Sequence, residues 1–144
     1  YWLIIIYIFK YLILLYDKKV IILEDHSKTI CASLLHDLIE VNKGNTSIKF
    51  FRKDLTTMII WLFIMHSYAN KEKINIEDIA RELASNTRIS KPSLRLILEN
   101  AKEKGFLKFT LNENDNRSWI IEPEAIAIQE FNDWTKRIGS LVTL

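Results

Sequence analysis

Residues 76–121 read IEDIARELASNTRISKPSLRLILENAKEKGFLKFTLNENDNRSWII, and this stretch decides the fold. Ile79, Ala80 and Leu83 share one face of a first helix, while Glu77, Asp78, Arg81 and Glu82 occupy the other. Ser85-Asn86-Thr87-Arg88 is rich in turn formers and ends that helix. Ser90 can cap a second helix and Pro92 suits its first turn. Leu94, Ile97, Leu98 and Ala101 then recur at i, i+3, i+4 and i+7, which makes a buried stripe. Gly105 stands where helices prefer to end. From Phe106 to Leu111 the chain alternates as a strand, Asn112–Asn116 is a turn, and Arg117–Ile121 returns. Upstream, Ile74 and Ile76 are expected in a short strand. Helix, turn, helix and hairpin together predict a mainly α chain with a small β-hairpin wing, an α+β winged helix-turn-helix.

Such a unit places the N-terminal part of its second helix in the DNA major groove. The predicted recognition helix, 90–104, leaves Lys91, Ser93, Arg95 and Glu99 off its buried stripe. An arginine there can bond guanine O6 and N7 in bidentate fashion, and a serine can bond a base or a phosphate. Arg88 and Lys91 most simply meet phosphate, which positions a protein without reading sequence. Lys108, Asn114 and Arg117 are the corresponding candidates on the wing, 106–121. Leu96 also leans outward, toward a thymine methyl or a neighbouring element.

The charge balance supports a local reading only. The 144 residues carry 20 basic and 18 acidic side chains, a net of +2, which by itself says little about nucleic acid. Between Asn86 and Arg117, however, seven basic residues face four acidic ones, so the excess gathers where duplex DNA would lie. The acidic Glu113 and Asp115 at the wing tip run against that trend.

The sequence ISKPSLRLILENAKEKGFL followed by DNRSWII resembles the winged helix of MarR-type transcriptional regulators. The resemblance runs from Leu55 onward. It rests on a small polar helix start, an apolar stripe, a Lys-Gly pair leading into the wing, and an Asp-x-Arg signature at Asp115 and Arg117. It implies that Ser93 and Arg95 face the major groove and that Arg117 anchors the wing or meets the minor groove. It also implies a homodimer joined through terminal helices. Leu96 departs from the family, which commonly has a polar residue there, and the turn before Ile89 is long.

Outside this unit, Asp54 is expected to cap a helix over LTTMIIWLFIMHSYA, whose apolar residues cover most of its circumference. Burial on several sides follows, with Trp61 in the core and His66 as a satisfied core histidine. A final helix is expected from about Glu124 to Ile138. Ala127, Phe131, Trp134 and Ile138 form one apolar edge of it, which needs either a second subunit or the chain's own middle helix.

The first residues, YWLIIIYIFKYLILLY, contain one polar residue, Lys10. A membrane helix needs about 20 apolar residues, and a central lysine costs roughly 2.5–3.5 kcal/mol. A strand or helix buried against the fold or a second subunit is the expectation, and Ile and Tyr lean toward strand. The sequence opens on Tyr1 rather than Met, so a processed or truncated chain, or a fragment of a longer reading frame, is expected. Lys18–Val41 is similar to the opening of a receiver domain. The polar stretch Asn42–Ser47 leaves no room for the rest of one, and Asp25 or Ser27 is expected to cap a helix running to Val41.

Two regions are therefore expected: residues 1–47, an apolar segment and helix serving packing or dimerisation, and residues 48–144, the winged-helix domain with its C-terminal helix. Cys31 is the sole cysteine, which excludes an intrachain disulfide and fits a reducing, cytoplasmic setting. A buried thiol is expected there. No zinc spacing, nucleophile elbow or phosphate loop occurs, so neither a cofactor nor an enzymatic activity is expected. Duplex DNA is the expected partner, no effector is indicated, and no membrane association is expected. The alternative is a winged helix used for protein contact, as the output module of a larger or membrane-tethered protein.

Overall fold

The computed structural model describes residues 24–41, 46–84 and 87–142. Six helices and one hairpin appear among them: α1 (Asp25–Val41), α2 (Ser47–Phe51), α3 (Leu55–Ala69), α4 (Ile76–Leu83), α5 (Lys91–Glu103), β1 (Leu107–Asn112), β2 (Asp115–Pro123) and α6 (Ala125–Val142). This is the mainly helical winged helix-turn-helix expected from the pattern. The apolar run 1–16 and Ser85-Asn86 of the turn lie outside the described residues, as does most of the Asn42–Ser47 stretch.

Local chemistry accounts for most helix ends. The Asp54 carboxylate accepts the Thr57 amide at 2.7 Å and the Thr57 hydroxyl at 2.8 Å. Burial opposes the charge on Asp54, but these bonds and nearby Lys53 hold its carboxyl below the usual range. Asn75 and Asp78 form a reciprocal capping box at the start of α4. That cap explains why Ile74 and Ile76 do not make the expected strand. Ile76 is the first residue of α4, and Ile74 gives only one ladder-like bond, its carbonyl accepting the Ile121 amide at 2.9 Å. Nor do Asp25 or Ser27 cap α1, since Asp25 already lies in its first turn, paired with Lys28 at 2.9 Å.

The core gathers around Trp61, which is fully buried. Its ring stacks on Phe51 with centroids 5.5 Å apart and meets Phe131 edge-on at 5.0 Å. Trp134 lies 5.6 Å away. The apolar edge of α6 therefore packs on the chain's own middle helix. Below these rings, Ile79 and Leu83 of α4 and Leu94, Leu98 and Ala101 of α5 complete the core. The middle helix is less enclosed than its composition implies. Leu55 and Leu62 are exposed, and so is His66, which bonds Asn70 at 3.1 Å instead of sitting in the core. An apolar helix of a small domain has too few neighbours to cover every side.

Two polar ties fasten the remaining helices. The amide and hydroxyl of fully buried Ser47 both donate to Glu130 Oε2, linking α2 to α6. On α1, buried Asp37 accepts from Arg52 Nη1 at 2.8 Å, Trp134 Nε1 at 3.0 Å and Arg137 Nη2 at 3.3 Å. Burial raises the Asp37 pKa, but the three donors outweigh it and keep the carboxyl below its ordinary value. Leu34, Leu35 and Ile39 are exposed, and Cys31, expected to be buried, is exposed as well. Among the described residues, no helix is long and apolar enough to cross a membrane.

Candidate nucleic-acid interface

The second helix of the motif forms as its sequence requires. Ser90 caps it by accepting the Ser93 amide, an interaction worth about 1 kcal/mol. At the other end Gly105 takes φ +74°, where an L side chain would be strained. The Phe106 amide then donates to the Ala101 carbonyl and the Gly105 amide to the Lys102 carbonyl, both at 2.9 Å. This Schellman closure turns the chain straight into β1.

The hairpin is antiparallel and regular from Leu107↔Pro123 to Leu111↔Trp119. Asn112 then pairs with Asp115, so the turn proper is Glu113-Asn114 and not the whole of Asn112–Asn116. The register shifts after Leu111↔Trp119, so Asn116, Arg117 and Ser118 form an irregularity on β2. The Asp115 carboxylate accepts the Arg117 amide at 3.1 Å within it.

An open groove of about 620 Å³ lies between α5, the start of α4 and the wing. Arg95, Glu99 and Lys102 line its α5 side, Glu77 lines its α4 side, and Asp115 and Arg117 line the wing side. Phe109 and Trp119 supply an aromatic wall, and the Lys102 ammonium rests 5.0 Å from the Phe109 ring centre. Three cations thus face three carboxylates, and both arginines point toward solvent-open space.

Among the sequence candidates, Arg95 and Arg117 come together in this groove and both are exposed. Ser93 is exposed on another side of α5, its hydroxyl 2.9 Å from that of Ser90. Arg88 is exposed just before the cap. Lys91 is exposed but already paired, 2.5 Å from Glu77 Oε2, which ties the starts of α4 and α5 together. Lys108 points the other way: strand alternation sets it opposite Phe109, across from Glu122, whose carboxylate is 3.5 Å away. Asn114 sits exposed at the tip, its amide donating to Asn112 Oδ1 at 3.1 Å.

Glu77, Lys102 and Trp119 were not singled out from the sequence. Lys102 follows Arg95 by seven residues, two helical turns, so its place on the same side was legible. Nothing local signals that Glu77 reaches across to Lys91.

No protein-family model and no curated protein matches this chain. Among solved structures, it superposes on S. aureus MepR, seen in a crystal structure of a MepR–DNA complex. The TM-score is 0.56 with 15% identity, over 79% of this chain and 86% of that chain. A MarR transcriptional regulator from Methanosarcina mazei Go1 aligns at TM-score 0.46 and 19% identity, over 79% of this chain and 74% of that chain. The MepR likeness is one of fold, and it is the fold that the MarR-type resemblance implies.

Proposed function

We propose that this chain is a transcriptional regulator that binds duplex DNA as a dimer, with α5 in the major groove and the wing beside it. The observation that carries this reading is the meeting of Arg95 and Arg117, from separate elements, in one solvent-open groove beside the exposed N-terminal turns of α5. The fold likeness to a protein crystallised on DNA supports it. Leu34, Leu35 and Ile39, exposed on α1, support a second copy as the dimer partner. The apolar edge of α6 is already occupied by Trp61.

In this reading Arg95 reads a guanine edge and Ser93 a base or phosphate, while Arg88 and Asn114 position the backbone, as does Lys91 more weakly because Glu77 shares its charge. Arg117 reaches the minor groove. Lys108 contributes a weaker, sequence-blind attraction, because Glu122 shares its charge.

Anisotropy titrations of a labelled duplex at rising salt test the reading. Affinity is expected to fall log-linearly, with a slope of about −0.9 per phosphate contacted. Arg95→Ala is expected to lose roughly 1–3 kcal/mol and to relax preference at one base pair. Absence of duplex binding at low salt would overturn it. That result would favour a protein-contact module, a use suited to the exposed cross-strand pair Leu111 and Trp119.

A further inference from the structure

Leu96 stands at the centre of the outward face of α5. A helix turns about 100° per residue, which puts the buried Leu94, Leu98 and Ala101 roughly opposite it. Its side chain points away from the core and is 59% exposed. No neighbouring element of the described residues covers it. Pro92, one turn earlier, continues the same exposed ridge. Ser93 lies about 60° to one side of Leu96 and Arg95 about 100° to the other. Further along, exposed Glu99 and Glu103 are repelled by phosphate. The charge pattern therefore favours insertion of the N-terminal turns, and Leu96 is the side chain at their midline.

An apolar group at that midline has a narrow choice of partners. Guanine presents N7 and O6, adenine N7 and N6, and cytosine N4 in the major groove, and burying one of these polar groups against leucine leaves it without a partner. Thymine alone presents a methyl group. We propose that Leu96 is a specificity-determining residue that reads the 5-methyl group of a thymine, between the polar edges read by Arg95 and Ser93. This rests on the DNA reading above and narrows it to sites bearing a thymine beside the base pair held by Arg95.

The test uses the full chain. Its preferred duplex is selected from a randomised pool, and each thymine is then replaced in turn by deoxyuridine, which pairs identically but lacks the methyl. One replacement, near the base pair at which Arg95→Ala relaxes preference, is expected to weaken binding about fourfold, the effect of losing one buried methyl. Leu96→Ala alters a residue that is 59% exposed and outside the core, and it is expected to bind the thymine and deoxyuridine duplexes equally. Binding of the native chain that ignores every replacement would overturn the inference, and so would a Leu96→Ala variant that keeps the full penalty. Failure to select or bind any duplex at low salt would instead remove the DNA reading itself, so the two failures are distinguishable.

Discussion

The two terminal helices of the described chain, α1 and α6, look alike as sequences and behave differently as structures. Both carry apolar residues at helical spacing. In α6 that edge is consumed within the chain, where Phe131 and Trp134 close around Trp61. In α1 Leu34, Leu35 and Ile39 remain exposed, and the helix is held to the body by the buried Asp37 and its three donors. An amphipathic pattern announces that a helix needs a partner, but it does not say whose surface supplies one.

The largest effect is expected at the seat of α6. Trp61→Ala removes a fully buried ring shared by three aromatic neighbours. It should cost about 3–5 kcal/mol in denaturant unfolding, much of the stability of an ordinary domain. A loss below about 1 kcal/mol, the level of an average substitution, would show that α6 is seated by something else.

A smaller effect is expected at the tie of α1. Asp37→Asn weakens charge-assisted bonds and should cost roughly 1.5–3 kcal/mol. Because the folded carboxyl titrates below its unfolded value, its contribution is present above about pH 4 and is lost as pH falls through the folded pKa. Thermal unfolding followed from pH 7 down to 3 should therefore show a shallower acid decline in Asp37→Asn than in the native chain. Equal declines would mean that Asp37 carries none of the acid sensitivity.

The smallest stability effect, and the most telling for assembly, is expected on the open side of α1. Leu35→Glu with Ile39→Glu alters exposed residues and should change unfolding by no more than about 0.5 kcal/mol each. If that side joins two copies, light scattering across a dilution series should show dimer dissociation strengthened by at least about a hundredfold, given about 1.5–3 kcal/mol per buried aliphatic side chain. A dimer unchanged by both substitutions would move the interface elsewhere.

Much of the winged helix was legible because its signals are local. Ser90, Pro92, the Leu94–Ala101 stripe and Gly105 each act within a turn or two of backbone, and the structure uses all of them in place. Where neighbours distant in sequence decide, local reading ran out. His66 and Cys31 were expected inside and lie outside, because the side of a helix that faces solvent depends on which elements arrive to cover it. The strand expected at Ile74 and Ile76 gave way to a helix cap at Asn75, whose bonds to Glu77 and Asp78 compete directly with a ladder.

The candidate interface divides along the same line. Arg95, Ser93 and Leu96 could be placed on α5 from helical periodicity alone, since successive residues advance by a constant angle. That Arg95 shares a groove with Arg117, that Glu77 claims Lys91, and that Lys108 faces away toward Glu122 were settled only when hairpin, helix and turn packed together. The sequence by itself determined the elements and their buried stripes, through hydrogen bonding and periodicity over a few residues. Tertiary structure alone decided which charges meet and which apolar faces stay open, because those depend on distances between segments that no local pattern encodes.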